Sequence, residues 1–273
     1  MGRRRFGPEG ATDSSQGWSE ALRAEPLETC DQKKESSVEP RRGDRPGKMK
    51  LITEETTGKT ALQTLQASRL RFPVTGLYPF LIGDAEELER IEEVGEGSQP
   101  GHQDSIVRES LEIDVGAWIS GKREALAEDG FSTDDLLGNW PEAACEPGSI
   151  GLHKDVLSGK FKPSVFLGFA KIALPWQLPA VLNYGGWNDC PEAAVHCAFH
   201  RKWFTEYGAE ITGMSGDIVE CLVRSPPRSR EAAIQLAWEQ FWYCEDIVDQ
   251  GCGSISNLAA TLLNSDYWYF WWD

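Results

Sequence analysis

The chain has 273 residues, with 27 Lys or Arg against 43 Asp or Glu and a formal charge of −16. That balance argues against nucleic acid, whose phosphates select basic surfaces, and against an anionic membrane. No run reaches the roughly 18 apolar residues a membrane helix needs, and no apolar stretch follows Met1-Gly2-Arg3-Arg4-Arg5 to make a signal peptide.

Residues 1–48 mix ten basic and nine acidic side chains with Gly, Pro and Ser and show no apolar periodicity. Such a stretch cannot bury enough apolar surface to offset its chain entropy, so a disordered tail is expected. Met49 precedes the first patterned segment, and the tail is read as a matter of start-codon choice. Removing it leaves 17 basic and 34 acidic residues in 49–273, a formal charge of −17. The simpler reading of this charge is solubility; the sharper one is steering toward a basic protein partner. Seven cysteines at irregular spacings in a chain too large to need staples imply free thiols and a cytoplasmic location. No motif calls for a cofactor.

Residues 49–160 are expected to form an N-terminal α+β extension. Leu51 to Leu70 is weakly helical, and Phe72 to Ile82 reads as an extended segment whose prolines suit an edge or a turn. Asp84, with Glu87 three residues on, predicts a capped helix ending at Gly95 or Gly97. Residues 95–104 read as a loop. Leu111, Ile113, Val115 and Ala117 alternate with Glu112, Asp114 and Gly116, the period of a half-buried strand. A short helix at about 121–129 and a loop lead to residue 160.

The C-terminal domain, 161–273, is better patterned. A strand is predicted from Val165 to Leu174 and a helical turn from Trp176 to Asn183, then a break at Gly185-Gly186. Pro191 suits the first position of a helix running to Tyr207, with Gly208 as its stop. Strands at 209–214 and 217–224, a long helix from Ser229 to about Val248, a helix at about 254–264 and a closing strand follow. That last strand, Tyr267-Trp268-Tyr269-Phe270-Trp271-Trp272, is aromatic on both faces and is expected inside the sheet. The order implies an α+β fold with a mostly antiparallel sheet packed by helices.

Chemistry concentrates in Trp187-Asn188-Asp189-Cys190-Pro191, with His196, Cys197 and His200 beyond. Cys190, near a helix N-terminus that lowers a thiol pKa, and His196, less than two turns on, form a candidate nucleophile pair for a hydrolase or transferase. His196 and His200, four apart, with Cys190 nearby, are candidate metal ligands, but the ligand set is incomplete. A helical wheel instead puts His196 on an aromatic face with Phe199, between Trp203 and Tyr207, as a core residue; Cys197 points away. On the long helix, Gln240 falls inside the apolar arc, as a satisfied amide or a pocket-lining residue. Trp242 projects onto the polar face, where an exposed Trp marks a binding surface unless the N-terminal half packs there. A small-molecule or metal-binding role would place its pocket between the helices 191–207 and 229–248. Gly58-Lys59-Thr60 matches the end of a phosphate-binding loop, but Thr53 stands where the earlier glycine is required and no apolar strand precedes it. Arg42-Gly43-Asp44 lies in the tail and supports no adhesion role.

Gly-Gly-Trp187-Asn188-x-Cys190-Pro191, His196, Trp203, Tyr207-Gly208-Ala209-Glu210, Pro226-Pro227-x-x-Arg230, Ala237, Glu239-Gln240, Tyr243-Cys244, Asp249-Gln250-Gly251 and Trp268-x-Phe270-Trp271-Trp272-Asp273 occur in order. Over roughly residues 165–273 this series resembles the bacterial C-terminal family known as domain of unknown function 4253. Thr75-Gly76-Leu77-Tyr78-Pro79 is similar to what precedes that domain in some relatives, and His200 falls outside the pattern. The resemblance implies bacterial, actinobacterial origin and a compact α+β unit; it brings no activity and no functional residue. Trp187, Asn188, Gln240, Trp242 and Asp249 are the binding candidates. The leading expectation is a non-catalytic cytoplasmic interaction module with an acidic surface, immunity-like toward a basic partner. The alternatives are an enzyme using Cys190 and His196, and a small-molecule or metal-binding protein.

Overall fold

The computed structural model describes residues 51–94, 101–128, 133, 135–143 and 148–273. All belong to one compact unit of the chain, Asp44–Asp273. The expected disordered tail, 1–48, lies outside the described residues.

Six strands form one sheet: β1 (Ile52–Thr56), β2 (Leu77–Gly83), β3 (Val165–Lys171), β4 (Ala209–Met214), β5 (Ile218–Val223) and β6 (Tyr267–Trp271). Their order is β1-β3-β2-β4-β5-β6. Every pairing is antiparallel except the one between β2 and β4, which meet at Leu81↔Gly213. The α+β class with a mostly antiparallel sheet is therefore as the pattern implied. β2, which precedes β3 by about 80 residues in the chain, lies between β3 and β4 in the sheet. Gly168 of β3 sits beneath the Phe80 ring, where any Cβ would overlap it.

The helices are α1 (Ala61–Thr75), α2 (Ala85–Val94), α3 (His102–Glu112), α4 (Val115–Glu128), α5 (Leu178–Leu182), α6 (Ala193–Tyr207), α7 (Arg230–Tyr243) and α8 (Ile255–Leu262). A 3₁₀ turn, Pro175–Gln177, precedes α5, and a π turn, Ile247–Cys252, separates α7 from α8. None of the described helices is long and apolar enough to cross a membrane. One sheet face carries Tyr78, Phe80, Ile82, Ile211, Val219, Cys221, Trp268 and Phe270 into the main core with α5 to α8. The other carries Leu81, Val165 and Leu167 against Ala61 and Leu65 of α1 and Ile150 and Leu152.

Local chemistry accounts for the boundaries. Asp84 Oδ1 accepts from the Glu86 and Glu87 amides and starts α2. Ser229 and Ser254 cap α7 and α8 through the Ala232 and Asn257 amides. Gly208 closes α6 in the left-handed region, φ 61°.

Several expectations are corrected. The segment 51–70 starts with a strand, β1, whose β-branched Ile52, Thr53 and Thr56 favour extension over helix. Phe72 to Thr75 is the last turn of α1, with Pro73 inside it and Gly76 (φ 64°) ending it. β2 is an inner strand, not an edge; Pro79 is in register with Phe169 of β3 and lies outside the single bridge to β4. The alternation at 111–117 is no strand: Ile113 ends α3 in extended conformation, and Asp114 Oδ1 accepts from Ala117 to begin α4. A helix–cap–helix junction has mimicked a period of two. α3 already begins at His102, inside the expected loop. The helix after Pro191 begins at Ala193, and the long helix stops at Tyr243 instead of Val248.

The terminal strand is the largest correction. β6 pairs with β5 alone and forms a margin of the sheet. Trp268, Phe270 and Trp272 are buried in the main core, whereas Tyr269 on the opposite face is 42% exposed. Only one face of this strand is covered by helices.

Candidate functional site

The turn before α6 places Cys190. Gly185 and Gly186 take φ of 99° and 83°, and Gly186 N donates to the carbonyls of Cys190 and Pro191. A Cβ on Gly185 would collide with the Pro191 carbonyl and come within 2.9 Å of His196 Nε2. Only glycine lets the loop fold this tightly. Cys190 Sγ then lies 3.3 Å from His196 Nε2.

The contacts continue through the core. His196 Nδ1 is 2.5 Å from Tyr243 Oη, which is 3.0 Å from His200 Nε2. His200 Nδ1 faces Cys221 Sγ at 3.8 Å. The i, i+4 spacing on α6 sets both imidazoles toward one phenol from α7. Tyr243 has one proton, so it donates to one ring and accepts from the other, and neutral imidazoles satisfy both bonds. Trp203, Phe270 and Trp272 wall the chain with edge-on and stacked rings.

Burial decides its protonation. It pushes the Cys190 and Cys221 thiols far above their ordinary range. It pulls His200 down to about 3 and His196 well below its ordinary value, the latter helped by His200. The expected helix-terminus activation of Cys190 is overridden: the residue lies three positions before α6 begins, and desolvation dominates. The structure therefore brings Cys190 and His196 together as a neutral thiol and a neutral ring, both shut away from water. A nucleophile needs the thiolate and access to substrate. The imidazole nitrogens of His196 and His200 that face each other are taken by Tyr243. Among the described residues, no group of three or more His, Cys, Asp or Glu is placed to share a metal ion.

The remaining candidates separate. Trp187 is half-buried and edge-on to Tyr184. Asn188, exposed at φ 45°, donates from Nδ2 to the Asp273 carbonyl at 2.6 Å and ties this loop to the C-terminus. Asp249 is exposed on the π turn, its carboxyl raised by desolvation and by Asp246. Trp242 is not exposed: it is buried beside Trp238 and Phe241, and Lys122 of α4 donates to its carbonyl. The N-terminal half packs there, the alternative weighed against a binding surface. Gln240 is buried and lines a cavity of about 250 Å³ together with residues of the π turn, α8 and β6. The space expected between α6 and α7 is instead filled by His196, Tyr243 and His200.

Sequence reasoning did not single out Tyr243, although it sits on the aromatic side of α7 and joins both histidines. It also passed over two buried carboxylates. Glu220 of β5 accepts from Gly151 N at 2.6 Å and from Tyr267 Oη at 2.7 Å, with its carboxyl raised by burial. Glu210 of β4 bonds Arg69 at 3.1 Å and Arg224 at 2.5 Å. Alternation along β4 and β5 is the signal that would have found them, since both point to the face opposite the main core.

No curated protein and no solved structure matches the chain. One family does, and its match begins within β3 and runs to the last residue. Residues 167–273, the C-terminal region of this chain, match the family described as a domain of unknown function (DUF4253).

Proposed function

We propose that the protein is a non-catalytic interaction module of the bacterial cytoplasm whose acidic helices bind a basic polypeptide, as an immunity protein binds a basic toxin. The observation that carries this reading is the set of exposed carboxylates on α2, α3 and α4: Glu86, Glu89, Glu93, Glu109, Glu112, Glu124 and Glu128, against exposed Arg90, Arg108 and Arg123. Such a surface accelerates encounter with a cationic partner and rejects anionic ones. The neutral, enclosed state of Cys190 and His196 weighs against the hydrolase or transferase alternative.

The test is capture from the native host by wild-type protein and by a variant with Glu89, Glu93, Glu109 and Glu112 all changed to Lys. Support requires a basic partner whose affinity falls at least about tenfold between about 50 and 300 mM salt, and which the variant no longer holds. Equal binding by the variant, or binding indifferent to salt, defeats the proposal. Alkylation mapping tests the enzyme reading in parallel. Half-exposed Cys252 is expected to react in the folded protein, and Cys190 only after denaturation. Rapid native modification of Cys190 that is lost in His196→Ala would revive the nucleophile pair.

A further inference from the structure

A cavity lies between α7, the π turn, α8 and β6, and none of its lining residues belongs to the acidic helices α2, α3 and α4. Its walls include the apolar side chains of Ile247, Leu258, Leu262 and Trp271. Two of its lining residues, Gln240 and Trp268, are buried to within about one per cent of their surface. Gln240 Nε2 and Trp268 Nε1 both lack a hydrogen-bond partner among the described residues. Buried polar groups in folded proteins are almost always paired, and two orphaned donors bordering one cavity are a marked departure. Both are N–H donors, so the group that completes them is an acceptor.

Three further features narrow its chemistry. Asp246 lines the same cavity and the chain carries a formal charge of −16, so a carboxylate or phosphate ligand would meet repulsion. The acceptor is therefore uncharged. The apolar and indole surfaces call for a flat, apolar body around it. A buried apolar cavity of about 150 Å³ takes benzene, so the volume here accommodates more than one ring. We propose that this cavity binds a neutral, ring-sized aromatic compound bearing a carbonyl acceptor, a lactam or aryl amide, which accepts hydrogen bonds from Gln240 and Trp268.

The probe is 2-quinolinone, a two-ring lactam, with naphthalene as the same-sized body lacking an acceptor and quinoline-2-carboxylate as the anion. Binding is read by saturation-transfer NMR, and the Trp268 indole N–H resonance, assigned with Trp268→Phe, reports the new bond in wild-type protein. The expected result is 2-quinolinone binding with a downfield shift of that resonance, and affinity at least about tenfold above both other probes. Gln240→Met and Trp268→Phe, which nearly preserve shape, are each expected to remove most of that preference. Absence of 2-quinolinone binding at about 1 mM, equal binding of naphthalene, or an unmoved Trp268 resonance would overturn the proposal. Because the acidic helices take no part, charge reversal there is expected to leave this binding unchanged; its loss in that folded variant would count against an independent site.

Discussion

The two sheet faces solve the problem of buried polarity in opposite ways. Beneath α6 and α7, the chain of Cys190, His196, Tyr243, His200 and Cys221 is wholly enclosed and neutral. Where α1 meets the sheet, Arg69 lies against Glu210 with their side chains 8% and 10% exposed, and both remain ion-paired. Arg69 also donates to Tyr78 Oη at 2.7 Å, Thr212 Oγ1 at 2.9 Å and the Ile211 carbonyl at 3.2 Å, and Arg224 supports Glu210 from the more exposed side. A guanidinium cannot shed its charge on burial, so it must bring a carboxylate with it. Imidazoles and thiols can be neutral, so they need only hydrogen bonds. The contrast teaches that the face carrying Arg69 and Glu210 depends on pairing, and the face carrying His196 and His200 on pH.

Glu210→Ala would expose the dependence on pairing. Removing the carboxylate bonded to Arg69 is expected to destabilise by about 3–5 kcal/mol in urea melts. The double change Arg69→Met with Glu210→Met is expected to restore most of it, and failure to do so would mean packing, not charge, sets the cost. On the neutral side, Tyr243→Phe keeps the ring and strips two imidazole nitrogens of their partner. Each bare group costs about 1–3 kcal/mol, and a loss of about 3 kcal/mol in total is expected by the same assay. A loss below about 0.5 kcal/mol would show the phenol to be dispensable.

Acid distinguishes the faces by sign. His196 and His200 have folded pKa values depressed by burial, so their contribution is intact above the ordinary value near 6.5 and is lost as pH falls through the folded values, about 3 for His200. Each is expected to cost about 1.4 kcal/mol per pH unit below about 6.5. Glu220 runs the other way: its raised carboxyl favours the fold below the ordinary value of 4.5 and that benefit fades as pH rises through its folded value. Stability measured between about pH 7 and 5 should fall, and His200→Gln should roughly halve the slope; an unchanged slope would move the acid sensitivity elsewhere. The smallest effect belongs to the loop–terminus tie. Asn188→Ala, which loses the bond to the Asp273 carbonyl, is expected to cost about 0.5–1.5 kcal/mol, detectable as a lowered melting midpoint.

Legibility followed the range of the interactions. Asp84, Ser229 and Gly208 mark element ends through bonds made within a few residues, and these boundaries were readable along the chain. The wheel for α6 placed His196 in an aromatic core because helix periodicity is local. Gln240 was recognised as facing inward, but not which cavity it borders, since that depends on α8 and β6 folding back past it. Trp242 misled for the same reason: its polar neighbours on α7 say nothing of α4, which arrives from 120 residues upstream to cover it.

Patterns of residue type thus specified the class of fold, most of its C-terminal elements and the burial of His196, all consequences of periods and caps that a single segment carries. Strand order, the marginal place of β6, the junction of Tyr243 with two histidines and the pairing of Arg69 with Glu210 were decided only by assembly. Each of these joins groups many residues apart, and their energy depends on distance and solvent exclusion, which no linear pattern encodes.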